Sequence, residues 1–333
     1  MTWRKGRHHF PCYTGLDRNV RGGSVVHAES FTAMVIADLL MGRREDANLV
    51  RSIGSMLMRE LGREDVFYFF KEHERLPADA DCTALGLSVL LRNGARVRDR
   101  AHRALDRILA NTNEQGVVQT YFDPTGERDG IVDPVVCANV LFLAFQLDRA
   151  HEAQPTLDFV RDVLVSERYL EGTRYYHSPD SFLYFLGRVV HHFPEARETL
   201  QGPLREAVRR RQGSTDYPID LAQRVLLSTW LGIDDGGELD RLIDAQGSNG
   251  TWAPDALFRY GRKKVFFGSR PLSSAFALAA VTQGTRTVAA PTEVDEDAVT
   301  QKIEPAHERF RLVPVDAGPS TGGAVVLTLQ SRR

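Results

Sequence analysis

Cysteine and net charge are both scarce in this chain. Three cysteines, Cys12, Cys82 and Cys137, are spread over 333 residues, and no two of them form a CxxC pair. That excludes a disulfide framework and a cysteine-based metal knuckle, and it points to a reducing compartment, the cytoplasm. Lysine and arginine number 42 against 44 aspartate and glutamate, a net charge of −2. Nothing in that balance argues for nucleic acid as a partner. No apolar run approaches the roughly 18 residues that a transmembrane helix needs. The start, Met1 to His9, is basic without an apolar core, so no secretory leader is expected. His8-His9 and His191-His192 lack ligand spacing with carboxylates or cysteines, and no metal centre is expected.

Apolar segments of helical length are plentiful. Phe31 to Met41 is apolar almost all round, and similar stretches lie at 81–92, 134–147, 180–192, 219–231 and 273–282. Between them come charged, amphipathic stretches at 46–61, 97–110, 156–168, 198–211 and 237–246. The apolar stretches share a small-residue start: Thr32-Ala33, Thr83-Ala84, Cys137-Ala138, Ser181, Leu221-Ala222 and Ser274-Ala275, at intervals of 51, 54, 44, 40 and 53 residues. Each unit is a helix pair, one member buried on all sides and the other half exposed. Six such pairs predict an all-α (α/α)6 toroid of six inner and about six outer helices. The expected organisation is an N-terminal arm over 1–25, the toroid over 26–284, and a polar linker over 285–333 ending in a tail or β-hairpin.

The chemistry centres on Asp79-Ala80-Asp81-Cys82-Thr83-Ala84, at the start of the second apolar helix. Aspartate is a good helix cap, so on spacing alone Asp79 and Asp81 read as caps. Ahead of them runs Phe67-Tyr68-Phe69-Phe70, and further on Gln246-Gly247-Ser248-Asn249-Gly250-Thr251-Trp252 closes an outer helix. Asp79-x-Asp81-x-Thr83-Ala84 resembles the DxDDTA motif of class II terpene cyclases, the squalene–hopene cyclase and prenyltransferase superfamily. The Gln246…Trp252 stretch is similar to that superfamily's QW repeat. Asn113-Glu114-Gln115-Gly116-Val117 is a degenerate copy without the aromatic residue.

The resemblance covers roughly 25–284 and implies an acid-initiated cyclisation in which an isoprenoid alkene or epoxide is protonated. By its motif the general acid is Asp81, with Asp79 beside it. Cys82 stands where the family has a third aspartate, so Cys82→Asp would rebuild the full motif. Asp133, Asp180 and Asp220, all at inner-helix starts, are candidates to replace that third acid. Aromatic faces stabilise cations without attacking them. Tyr68, Phe70, Tyr176, Tyr184, Tyr217, Tyr260 and Phe267, with Thr83, Asp133, Cys137 and Asp180, are the candidate substrate-binding residues.

Arg259-Tyr260-Gly261-Arg262-Lys263-Lys264 reads first as a solvated loop. Were the substrate a prenyl diphosphate, Arg259, Arg262, Lys263 and Lys264 would neutralise it, with Mg2+ as companion; no other cofactor is expected. Asp234-Asp235-Gly236-Gly237-Glu238 mimics an acidic metal motif but reads as a turn and helix cap. Two other readings stay open. One is a non-catalytic toroid that binds a hydrophobic ligand or a protein, and the other is a carbohydrate-active α/α barrel with paired carboxylates. A single toroid also leaves open a homodimer closing the cavity and peripheral contact with a membrane.

Overall fold

The computed structural model describes residues 10–20, 22–26, 29–70, 75–288, 311–315 and 326–330. Among the described residues eleven α-helices alternate in type, as the sequence pattern requires. The inner helices are α1 (Phe31–Leu40), α3 (Ala80–Arg92), α5 (Pro134–Gln146), α7 (Pro179–His192), α9 (Pro218–Leu231) and α11 (Arg270–Val288). The outer ones among the described residues are α2 (Ala47–Glu60), α4 (Arg98–Ala110), α6 (Gln154–Val165), α8 (Arg197–Arg211) and α10 (Glu238–Asp244). Inner helices contact their neighbours in chain order, and α11 packs back on α1 to close the ring. The α/α toroid expected from the sequence is the fold observed, with five outer helices among the described residues rather than about six.

Local chemistry sets the helix starts. Proline occupies the first helical position of α5, α7 and α9, where its missing N–H costs nothing and its φ is already helical. Asp133 and Ser178 cap α5 and α7 by accepting backbone N–H bonds. Gly232, at φ 61°, ends α9 in the left-handed conformation that glycine adopts without strain.

All six inner helices point the same way. Phe31, Asp81, Val136 and Tyr176, from the start of α1, α3 and α5 and the approach to α7, line one cavity. Asp38, Arg92, His192 and Trp230, near the ends of α1, α3, α7 and α9, line a second cavity at the opposite face.

The sequence pattern does not reveal a small antiparallel sheet of β1 (Cys12–Gly15), β2 (Ser24–Val26), β3 (Asp255–Arg259) and β4 (Phe266–Ser269), in the order β2-β1-β4-β3. The N-terminal stretch thus lies beside β4, whose Phe267 lines the first cavity. Arg18 anchors it, with Nε 2.7 Å from Asp255 Oδ1, Nη1 2.6 Å from Asp220 Oδ2, and its guanidinium 3.9 Å above the Tyr217 ring. Beyond the toroid, β5 (Arg311–Val315) pairs antiparallel with β6 (Val326–Gln330), as one of the two forms expected for the tail requires; the linker over 289–310 lies outside the described residues.

Gln246 and Trp252 fold as a unit around their loop. The Trp252 indole is buried and donates to the Leu242 carbonyl (2.7 Å), while the Gln246 amide donates to the Gly250 carbonyl (2.9 Å). The tryptophan thereby ties outer helix α10 to the loop that leads into the sheet.

Candidate active site

Asp79, the N-cap of α3, accepts the Cys82 N–H at 2.7 Å. Asp81 follows in the first turn and faces inward, 9% exposed, at the floor of a cavity of about 520 Å³. The preceding backbone is fixed on both sides. Thr83 Oγ1 accepts the Phe67 N–H at 3.0 Å, and the Ala80 N–H reaches the Thr120 carbonyl at 2.8 Å. A Cβ at Gly86 would come within 2.9 Å of the Phe67 ring, so glycine there lets the aromatic segment lie on α3.

Asp81 accepts two hydrogen bonds, one on each oxygen: Asn139 Nδ2 at 2.7 Å and the Tyr176 hydroxyl at 2.5 Å. No acid replaces the missing third aspartate at this contact. Asp133 caps α5 and accepts the Tyr175 N–H at 3.0 Å, which holds the segment carrying Tyr176. Asp180 is ion-paired with Arg211 and Arg224, and Asp220 with Arg18. Burial, and then the neighbouring Asp79 carboxylate, push Asp81 up to about 7, against the pull of its two donors. Burial likewise pushes Asp79 up to about 6. Tyr176 lies well above its ordinary value through burial and the nearness of Asp81, so it stays a neutral donor.

Above the floor the walls are aromatic. Phe258 and Phe267 stack at 5.3 Å, and Phe31 and Phe69 each meet Phe258 edge-on at 5.6 Å. Tyr176 lies 6.4 Å from Phe31. The Asp81 carboxyl therefore opens onto ring faces and edges, which tolerate positive charge without acting as nucleophiles. A polar groove with two acids facing across it, as carbohydrate chemistry needs, is not what these residues build.

The mouth is cationic: Arg128, Arg174, Arg259, Arg262 and Lys263 line it. Arg259 is tied to the Thr173 carbonyl at 2.6 Å. None of the other four has a carboxylate within ion-pair distance among the described residues, and Arg174 Nε is buried without a hydrogen-bond partner.

Of the residues singled out by sequence, Asp79, Asp81, Cys82, Phe70, Tyr176, Tyr260, Phe267, Arg259, Arg262 and Lys263 line this cavity. Thr83, Tyr68, Asp133, Cys137, Asp180, Tyr217 and Lys264 are not among its lining residues, and Tyr184 lines the opposite cavity instead. Sequence reasoning missed Asn139, Phe31, Phe258, Arg128 and Arg174. Asn139 carried a signal, being the one amide inside the apolar run Val135 to Phe145. Asp234 and Asp235 do close turns, accepting the N–H groups of Gly236 and Gly237. Among the described residues no cluster of His, Cys, Asp and Glu is arranged to hold a metal ion.

The surroundings of Cys82 bear on what rebuilding the full motif would do. Its thiol is buried, and the charged groups acting on it are Asp79, Asp81 and Glu29, none of them a cation. A third carboxylate here adds like charge to a desolvated site. Cys82→Asp is therefore expected to lower the melting temperature by several degrees at pH 8. It should also move the alkaline limb of any activity up by about one pH unit, since like charge raises the pKa of Asp81. Thermal melts and pH–rate profiles of the variant check both.

Comparison with known proteins accords with this geometry. The family described as sesquiterpene cyclase astC-like C-terminal domain matches residues 16–147. Drimenol cyclase drtB of Aspergillus calidoustus is 32% identical over 250 residues, which is 73% of this chain and 45% of that protein. The chain thus spans about half the length of the curated relative it matches. Among solved structures, a variant of the type II terpene cyclase MstE from Scytonema, in complex with its substrate geranylgeranyl dihydroxybenzoate, superposes with a TM-score of 0.62 at 13% identity. It covers 79% of this chain and 89% of that one. The ent-copalyl diphosphate synthase from Streptomyces platensis gives 0.58 at 16% identity over 77% of this chain and 50% of that one.

Proposed function

We propose that this class II terpene-cyclase-like chain cyclises a prenyl diphosphate by acid initiation, with Asp81 as the general acid. The observation that carries the reading is the Asp81 carboxyl at the floor of an aromatic cavity, held by Asn139 and Tyr176. An alkene is a very weak base, so its protonation needs a neutral carboxylic acid out of water. Burial keeps Asp81 neutral below about pH 7. As the proton leaves, the two donors stabilise the carboxylate that forms. The O–H bond of Asp81 breaks while the alkene π pair takes the proton to form a C–H bond, leaving a carbocation on the neighbouring carbon. Further alkenes of the same chain attack that cation, the aromatic walls stabilise it, and a final proton loss makes the net reaction an isomerisation.

The diphosphate would sit at the mouth against Arg128, Arg174, Arg262 and Lys263, a reading supported by their lack of carboxylate partners and by the unpartnered Arg174 Nε. Mg2+ enters only as a companion of the diphosphate. The drimenol cyclase relative supports a terpenoid product.

Among the described residues no helix is long and apolar enough to cross a membrane. Exposed Leu16 (83%) and Val25 (45%) are carried by the hairpin beside the 260–265 turn, and through them the protein would touch a lipid surface. Three free thiols fit a reducing compartment such as the cytoplasm.

The test is incubation with geranyl, farnesyl and geranylgeranyl diphosphate and with squalene, with and without Mg2+, followed by product analysis. Cyclic product that retains the diphosphate supports the reading. Linear alcohol alone, or no turnover of any member, overturns it. Light scattering in the same buffers decides between a monomer and a homodimer closing the cavity.

A further inference from the structure

The acid's amide partner can be oriented in two ways, and only one serves acid catalysis. With Nδ2 toward Asp81, Asn139 donates and stabilises the anion that proton transfer creates. Rotated by half a turn, its Oδ1 would accept the Asp81 proton and hold it away from an alkene. What selects the orientation lies on the far side of Asn139. Arg188, on α7, is buried and donates from Nη1 to Asn139 Oδ1 at 2.8 Å. A guanidinium has no acceptor, so the rotated amide would set N–H against N–H.

Arg188 is itself ion-paired. Its Nε lies 2.9 Å from Asp38 Oδ2, and the other Asp38 oxygen takes Arg92 Nη1 at 2.5 Å. Although burial raises its pKa, Asp38 remains below the ordinary carboxylate range because Arg188 and Arg92 outweigh that effect. The Arg188 guanidinium also lies 4.5 Å over the Phe142 ring. The chain Arg92–Asp38–Arg188–Asn139–Asp81 thus draws on α3, α1, α7 and α5 and ends on α3 again, crossing the centre of the toroid.

We propose that Arg188 is a positioning residue for the reaction, locking the Asn139 amide as an obligate donor to Asp81 and excluding the orientation that would trap its proton. The inference rests on Asp81 being the acid. It predicts a loss confined to kcat, because neither Arg188 nor Asn139 lines the cavity that holds substrate.

The test is a double-mutant cycle with Arg188→Met and Asn139→Leu, assayed on the prenyl diphosphate turned over fastest in the panel above, alongside Asp81→Asn. Each single variant is expected to lower kcat by about 10- to 100-fold, the size of a lost hydrogen bond to a charged group, with KM within about threefold of wild type. The double variant should be no worse than the poorer single one within about threefold, since without Asn139 there is no amide to orient. Losses that multiply, or an Arg188→Met enzyme with wild-type kcat, would overturn the role. Should Arg188→Met fail to fold, the cycle is run with Arg188→Lys. That variant keeps a charge beside Asp38 but cannot hold Asp38 and Asn139 together. A kcat loss that disappears in the Asn139→Leu background supports the proposal, and one that persists refutes it. Turnover that survives in Asp81→Asn fails the acid assignment itself, a different result from an inert Asp81→Asn with a multiplicative cycle.

Discussion

Replacing Asp81 by asparagine is expected to abolish cyclisation while making the protein harder to melt. General acid catalysis contributes about 10²- to 10⁴-fold, and asparagine has no proton to give, so turnover should fall by at least that much. The gain in stability follows from linkage. The Asp81 pKa is raised from 3.8 to about 7 on folding, so between those values the folded state binds more protons than the unfolded chain. Its stability therefore falls as pH rises through that window, and above about pH 7 the charged, buried carboxylate is a burden on the fold. At about 1.4 kcal/mol per pKa unit the burden is at most about 4 kcal/mol. Asp81→Asn removes it and leaves Asp79 to cap α3. Melting temperatures should exceed wild type by several degrees at pH 8 and by little at pH 4. The wild-type rate should be full below about pH 7 and fade above it. A variant that loses stability at pH 8, or an activity that increases with pH through 7, would contradict the assignment.

The second large effect concerns the mouth. Arg128→Gln with Arg174→Gln removes two cations that have no carboxylate partner among the described residues, one of them with a buried Nε lacking any hydrogen bond. A hydrogen bond to a charged group contributes about 1.5–3 kcal/mol, so the pair should weaken a prenyl diphosphate about 100-fold or more. The matching prenyl alcohol, which reaches only the aromatic walls, should bind within about twofold of wild type. Calorimetry in an Asp81→Asn background measures both affinities without turnover. The diphosphate affinity of the parent should also drop with added salt, and that dependence should flatten in the double variant. Equal weakening of alcohol and diphosphate would show that the arginines support the walls instead of holding a charged head group.

The helices were legible in the sequence because the two kinds have different surfaces. Phe31 to Leu40 has nearly every side chain buried, whereas Arg98 to Ala110 buries only Ala101, Ala104, Leu105 and Ile108. A ring of alternating types follows from that contrast without long-range information. The sheet was not legible, because β1 pairs with β4 across some 250 residues and its strands are three to five residues long. Asp81 was visible through its motif, but what holds it was not: Asn139 was missed, and Tyr176 was singled out only as an aromatic lining residue, because they reach Asp81 from positions 58 and 95 residues away. Asp180 shows the converse. As an acid at the start of an inner helix it looked like Asp81, yet Arg224 from α9 and Arg211 from α8 convert it into a structural ion pair. What an aspartate does here depends on which guanidinium or amide folds against it, and no local pattern records that.

The closure of the ring, α11 against α1, carries a consequence for how the chain is made. Phe31 opens the first inner helix and Arg270 the last, so the seam joins segments from opposite ends of the toroid. During synthesis the first five inner helices emerge with one apolar flank of α1 and one of α9 uncovered, a horseshoe whose missing wedge is still being translated. Contacts of such high sequence separation form late, and uncovered apolar helix faces associate with other chains meanwhile. The last inner helix is therefore a keystone, and the open arc that precedes it is the species most exposed to aggregation and to chaperone capture.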